Sequence, residues 1–363
     1  MFEKGEIDEN YVRVERDELF KFIVNVMVKL GVNRRDAKIF ADNLVTADLR
    51  GVESHGVQRL KRYVNGILSG GVNVKSKIRI VREGETYALL DGDRGLGQII
   101  GFKAMKIAIN KARDHGLGFV LVKNSNHYGI AGYYALIAAK EEMIGISMTN
   151  SRPLVAPTNS IDRFLGTNPI AFAAPTNSRP FLLDMATSIV PIGKLEVYRR
   201  KERKIPRGWA IDSNGNLTDN PEDVFNGGAL LPLGGLGEIL GGHKGYGLSL
   251  MIDIITGILS GGVWSRYVKN TEHRDSNVSH LFTAINIEAF MPLKDFKKRM
   301  DEMIAEIKKL RRHSKFNEIW IHGEKGFLTE ETRLKIGIPI YRKVLCELNI
   351  IADQLRIDRL KVK

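Results

Sequence analysis

Apolar positions recur at helical spacing over residues 16–30, where Leu19, Phe20, Ile23, Val24, Met27 and Leu30 share one face. A second helix is expected over 34–49, with Asn33 as its N-cap. A third follows the Glu53-Ser54-His55-Gly56 turn, carries Leu60, Tyr63, Val64, Ile67 and Leu68, and stops at Gly70-Gly71. Beyond Asn73 the period changes. Short strands are expected at 77–82 and 86–90, a helix at 96–115, and strands at 119–123, 144–149, 170–174 and 181–184. A helix is expected from 186 into the Arg199–Lys204 run, and a buried helix over 247–264 follows a glycine-rich segment. A strand at 281–287, an amphipathic basic helix through Phe296, Met300, Ile304, Ile307 and Leu310, a short strand at 318–321 and a helix at 340–351 complete the chain. The closing helices lack an apolar set of their own and are expected to pack on the opening ones.

Length makes two domains the default, since 363 residues exceed one ordinary core. With the closing helices packed on the opening ones, residues 12–75 and 295–363 are expected to form a helical domain and 76–294 an α and β domain, to which the family resemblance given below assigns nucleotide binding. The most lipid-like run, near 247–264, is interrupted by Asp253 and three glycines, whereas a membrane span needs about 20 nearly unbroken apolar residues. The acidic opening, residues 1–11, has no apolar core and does not read as a signal peptide. A lone cysteine, Cys346, excludes an internal disulfide or a Cys-built zinc site and fits a reducing cytoplasm. The net charge of +13 admits a nucleic-acid partner, but its cations are interleaved with acids, and an anionic substrate with an anionic cofactor accounts for the excess equally well. No metal-ligand spacing such as His-Glu-x-x-His is present.

The candidate chemistry centres on Asn124-Ser125-Asn126-His127-Tyr128-Gly129, at a strand-to-helix junction. An imidazole there suits proton transfer near neutral pH, although a histidine in a polar turn is also an ordinary hydrogen-bonded residue. His55 and Arg59 lie four residues apart and can face one anion; a cap and a surface charge are the plainer readings. Lys244, beside His243 in the glycine-rich segment before a helix, stands where backbone amides and the helix dipole can receive a phosphate, although a surface loop has the same composition. Asp184 reads equally as a helix cap or as a residue that orients a histidine. No Gly-x-Gly-x-x-Gly opens a βαβ unit, so a standard Rossmann domain is not expected.

Five motifs in order resemble the malate/L-lactate dehydrogenase family of non-Rossmann L-2-hydroxycarboxylate dehydrogenases. They are Leu49–Gly56, Asn124–Gly129, Leu165–Ala171, Leu183–Ser188 and Gly242–Gly247, and the resemblance is strongest to the archaeal malate dehydrogenase branch. It implies an α+β fold in which a helical domain built from both chain ends joins a central mixed, largely antiparallel sheet domain. It also implies an NAD- or NADP-dependent enzyme acting on L-malate or another L-2-hydroxy acid such as L-lactate, L-sulfolactate or ureidoglycolate. The assembly it implies is a homodimer or a dimer of dimers, with no nucleic-acid or membrane partner. By the same resemblance His127, or else His55, passes the proton, and His55 and Arg59 bind substrate. Ser151, Met185, Ala186, Thr187, His243, Lys244, Gly323 and Glu324 fall at cofactor contacts. The chain departs from the family pattern at His322, where proline usually precedes the Gly-Glu pair.

Overall fold

The computed structural model describes residues 9–269 and 276–363, so most of the acidic opening stretch and residues 270–275 lie outside the described residues. Strand β1 (Tyr11–Val14) precedes α1 (Arg16–Lys29) and α2 (Arg34–Leu49), the latter capped by the Asn33 side chain, which accepts from the Asp36 N–H. Two 3₁₀ turns, Glu53–His55 and Val57–Arg59, lead into α3 (Leu60–Leu68). Next come β2 (Arg79–Glu83), β3 (Tyr87–Asp91), α4 (Gly97–His115), β4 (Leu117–Ser125), α5 (Ala131–Lys140), β5 (Ile144–Thr149), β6 (Ile170–Ala174) and β7 (Phe181–Met185). The α4 helix ends where Gly116 takes φ 82°, a left-handed conformation that glycine adopts without a Cβ clash.

A peripheral unit follows: α6 (Ile192–Arg200), β8 (Ala210–Ile211), β9 (Leu217–Thr218), α7 (Pro221–Phe225) and β10 (Ala229–Leu230). Then come α8 (Gly242–Asp253) with a π-helical turn at Ile254–Ile258, β11 (Val278–Ile285), α9 (Leu293–Lys309), α10 (Glu324–Ile336), β12 (Ile338–Tyr341) and α11 (Arg342–Leu355).

The main sheet has seven strands in the order β2-β3-β4-β11-β5-β6-β7. Among these described strands only the β3–β4 pair is parallel. Alternation along the strands divides the core. Val120, Val122, Phe282 and Ala284 pack with α4 and α5 on one face, while Leu121 and Leu281 meet Ile252 of α8 on the other. A separate cluster joins Leu19, Ile23, Phe40 and Leu44 near the start of the chain to Ile338, Val344, Leu348 and Ile351 near its end, so the closing helix packs on the opening ones. No side chain of α9 is buried, and α9 ties to the sheet through Lys297–Glu142 and Asn177–Asp301 contacts.

Several elements differ from the sequence reading for identifiable reasons. The helix expected from 186 starts at Ile192, because Thr187 and Ile189 donate to Thr167 and Leu231 and Pro191 then sits at the N-cap. The helix expected from 340 starts at Arg342, since Ile338–Tyr341 pairs with β1. Residues 318–321 form no strand; the nearby His322 carbonyl accepts a single bond from Leu182 N–H. The helix at Glu324–Ile336 and the small β10-β8-β9 sheet have no counterpart in the sequence reading. The 247–264 segment is only half buried: Ser249, Ile252, Thr256 and Gly257 face inward, whereas Ile254, Ile258 and Leu259 are exposed.

Candidate active site

The junction between β4 and α5 delivers His127 to a cleft, and the two 3₁₀ turns after α2 deliver His55 and Arg59 to the same place. The two imidazoles stack with centroids 5.5 Å apart and planes 18° from parallel. Tyr63, from α3, places its hydroxyl 2.6 Å from His127 Nδ1, and the Gly129 N–H approaches the same nitrogen at 3.2 Å. Ser54 Oγ lies 3.0 Å from His55 Nδ1. Arg59 donates through Nε to the Ser54 carbonyl at 2.7 Å and pairs through Nη2 with Glu196 of α6 at 2.9 Å. Arg62, Asn150, Ser151, Arg152 and Thr167 also line the cleft.

Burial first, and then the cationic field of Arg59 and Arg62, pushes His55 down to about 3. His127 is held well below the usual imidazole range by burial, by Arg62 and by its neighbour His55. Both rings are therefore neutral at pH 7. Tyr63 is pushed up to about 12, chiefly by burial, so its hydroxyl keeps its proton. Behind the pair, His280 spans Thr149 and Ser125 with 2.8 Å bonds from its two ring nitrogens and stacks on Tyr128.

The nucleotide-contact candidates fall mainly along one connected strip. Ser151 Oγ accepts from Thr167 N–H, Thr187 Oγ1 donates to the Asn168 carbonyl, and Thr187 O accepts from Leu233 N–H in the glycine-rich segment. That segment leads into α8, whose N-cap Gly241 has φ 90° and no side-chain cap, and His243 and Lys244, both exposed, are in the first turn. Met185 ends β7 and Ala186 follows it. Of this set only Ser151 lines the histidine cleft itself.

Asp184 is not the partner of His127; that place belongs to Tyr63. It is a cap, though not of a helix that follows it in the chain: its carboxylate accepts the Gly132 N–H at 2.8 Å and so caps α5. Burial raises its pKa to about 6. Gly323 and Glu324 lie beside β7 at Leu182, and the Glu324 carboxylate is held by Lys308 at 2.6 Å and by Ile321 N–H. Arg199 and Arg200 line a basic cavity with Arg59, Lys61, Arg62 and Arg152, adjoining the histidine cleft. In the sequence Tyr63 reads only as an apolar face residue of α3, because its helical spacing to Leu60, Val64 and Ile67 conceals what its hydroxyl meets.

Comparison with known proteins gives the family. The family profile described as malate/L-lactate dehydrogenase matches residues 14–349. The chain belongs to that family. It is an oxidoreductase acting on the CH–OH group of its donor. A malate dehydrogenase of Pyrococcus horikoshii is 70% identical over 99% of this chain and 100% of its own. The malate/(S)-sulfolactate dehydrogenase of Methanothermus fervidus is 40% identical, covering 95% of this chain and 98% of its own. Among solved structures, the P. horikoshii malate dehydrogenase superposes with a TM-score of 0.93 at 68% identity, covering 99% of this chain and all (100%) of that one. The sulfolactate dehydrogenase of Methanocaldococcus jannaschii gives a TM-score of 0.88 at 40% identity, over 95% of this chain and 98% of that one.

Proposed function

We propose that the protein interconverts L-malate and oxaloacetate with NAD or NADP as the redox partner. The observation that carries this reading is the presence of three arginines, Arg59, Arg62 and Arg152, among the residues lining the cleft that holds the stacked His55 and His127. A 2-hydroxy dicarboxylate presents two anionic ends, and a wall of guanidiniums can grip both. The 70% identity to a protein named malate dehydrogenase favours the same substrate.

His127 acts as the base for the substrate hydroxyl proton. For that, Nε2 must carry the lone pair, so the ring proton resides on Nδ1 and is donated to the Tyr63 hydroxyl oxygen 2.6 Å away. The Tyr63 hydroxyl can accept that proton or donate its own, so it supports the reactive tautomer against the Gly129 N–H, which bonds only an unprotonated Nδ1. Arg59 and His55 hold the carboxylate and the reacting oxygen. The arriving negative charge offsets the field of Arg59 and Arg62 and raises the proton affinity of His127 as the proton is transferred. Substrate carboxylate and Glu196 share the Arg59 guanidinium, which sets how tightly the acid binds.

The residues fit a dinucleotide. The α8 N-terminus has no side-chain cap, and Lys244 stands in its first turn. In the segment before it, Gly235 has φ 83°, and a Cβ built there would meet nothing within 4 Å among the described residues. Lys244, Ser151 and the Met185-Ala186-Thr187 strip would hold the phosphates and ribose. When bound, nicotinamide supplies the hydride acceptor. The exposed stripe of Ile254, Ile258 and Leu259, with Ile239 and Leu240 nearby in sequence, supports a homodimer that covers it.

A steady-state panel of L-malate, L-lactate, L-sulfolactate and ureidoglycolate against NAD and NADP tests the reading. Malate gives the highest kcat/KM, and Arg62→Gln and Arg152→Gln each narrow the preference for malate over lactate about tenfold. A preference for lactate that neither substitution alters overturns it.

A further inference from the structure

The loop that carries His55 is held from behind by a carboxyl group to which the chemistry above gives no part. Asp48, in the last turn of α2, is only 3% exposed, and its Oδ2 accepts the Val57 N–H at 2.7 Å. Val57 lies nine residues further along, so this one bond closes the segment bearing Ser54 and His55 into a ring and fixes where the turn leading to Arg59 begins. Gly56 lies directly on the carboxyl: a Cβ there would be 1.8 Å from Asp48 Oδ1, so only glycine allows the approach. From the far end of the chain, α10 ties the same ring. Arg333 donates to the Asp48 carbonyl and to the Glu53 carboxylate, and Arg50 pairs with Glu330 at 3.0 Å.

We propose that Asp48 is a positioning residue for substrate, its side chain holding the 49–57 ring so that His55 and Arg59 face His127. This rests on the reading of the cleft as a 2-hydroxy-acid site. Without the Asp48 acceptor the Val57 N–H is buried and unsatisfied, and the ring keeps its α10 contacts and the Val52 N–H bond to the Ala47 carbonyl but loses its closure at Val57. Burial, with Glu53 adding and the Val57 N–H and Arg333 opposing, pushes the Asp48 carboxyl up to about 8. A neutral carboxyl still offers an oxygen to the Val57 N–H, which makes asparagine its close mimic.

The test compares full-length Asp48→Ala, Asp48→Asn and Val57→Pro, the last removing the donor without touching Asp48. Losing the buried bond raises the KM for malate about tenfold in Asp48→Ala and Val57→Pro, more than it lowers kcat, while NADH affinity measured by fluorescence titration changes less than about twofold. Asp48→Asn restores KM to within about threefold of wild type by the same reasoning. Amide exchange at Val57 reads the bond without turnover: it speeds up in Asp48→Ala and stays slow in Asp48→Asn. If Asp48→Ala does not fold, Val57→Pro and Asp48→Asn decide. An unchanged KM in Asp48→Ala or Val57→Pro overturns the proposal, as does a parallel fall of substrate and NADH affinity in both. A wild-type enzyme inert on every 2-hydroxy acid sinks the cleft reading instead, and slow Val57 exchange would still establish the bond.

Discussion

His127 and Tyr63 are 64 residues apart in the chain, yet their 2.6 Å contact decides which nitrogen of the imidazole faces the cleft. His127→Ala, by removing the proposed base, lowers kcat at least about 100-fold, with the affinity for NADH or NADPH unchanged by fluorescence titration. Tyr63→Phe keeps the ring in place but frees the tautomer, lowering kcat about tenfold with little change in the KM for malate. The buried imidazoles also set a pH limit on stability. His55 and His280 fall to about 3 from an ordinary 6.5, and His127 shifts in the same direction. The unfolded chain binds these protons first, so the stabilisation is complete above pH 6.5 and is lost as pH falls toward 3. Denaturant midpoints measured from pH 8 to pH 4 show the fall below pH 6.5. Asp48 and Asp184, raised to about 8 and about 6, act with the opposite sign over this window, so the histidine contribution is read as the difference in this fall between wild type and His280→Gln, and no difference would mean that the ring is solvated.

The glycine-rich segment before α8 owes its composition to close packing and adjoins the strip proposed to hold the nucleotide. A Cβ on Gly245 would lie 2.2 Å from the Leu233 carbonyl oxygen. Gly245→Ala therefore shifts α8, costs about 1–3 kcal/mol in thermal or denaturant unfolding, and weakens NADH binding more than malate binding. Other elements are legible in the sequence to different degrees, for physical reasons. Strands β4 to β7 and helices α1 to α4 carry clear periods, because each faces a core on one or two sides. The stretch after Asp184 has polar residues and a helical look but lies extended, since its backbone groups pair with Thr167 and Leu231 across the fold. The α10 helix is hard to see in the sequence because only Arg333 on it is buried, so it carries almost no apolar signature.

Across the whole molecule, the helical core draws on both chain ends while the sheet holds the middle, and the cleft lies where His127 from the sheet meets Tyr63, His55 and Arg59 from the helical side. The exposed isoleucines of the α8 and π-helical region carry a prediction at this scale. Sedimentation of the wild type gives a dimer or larger species, and Ile254→Glu with Ile258→Glu shifts it toward monomer without unfolding it. A wild type that sediments as a monomer removes that assignment. By itself the sequence determined the periodic elements, the union of the chain ends and the motifs that mark the family, because these depend on local spacing and residue type. Only the tertiary structure decided that Tyr63 rather than Asp184 meets His127, that Asp184 caps α5, and that Asp48 closes the loop bearing Ser54 and His55. Those pairings join residues brought together by core packing, and a polar side chain leaves no trace in the chain order of which distant partner satisfies it.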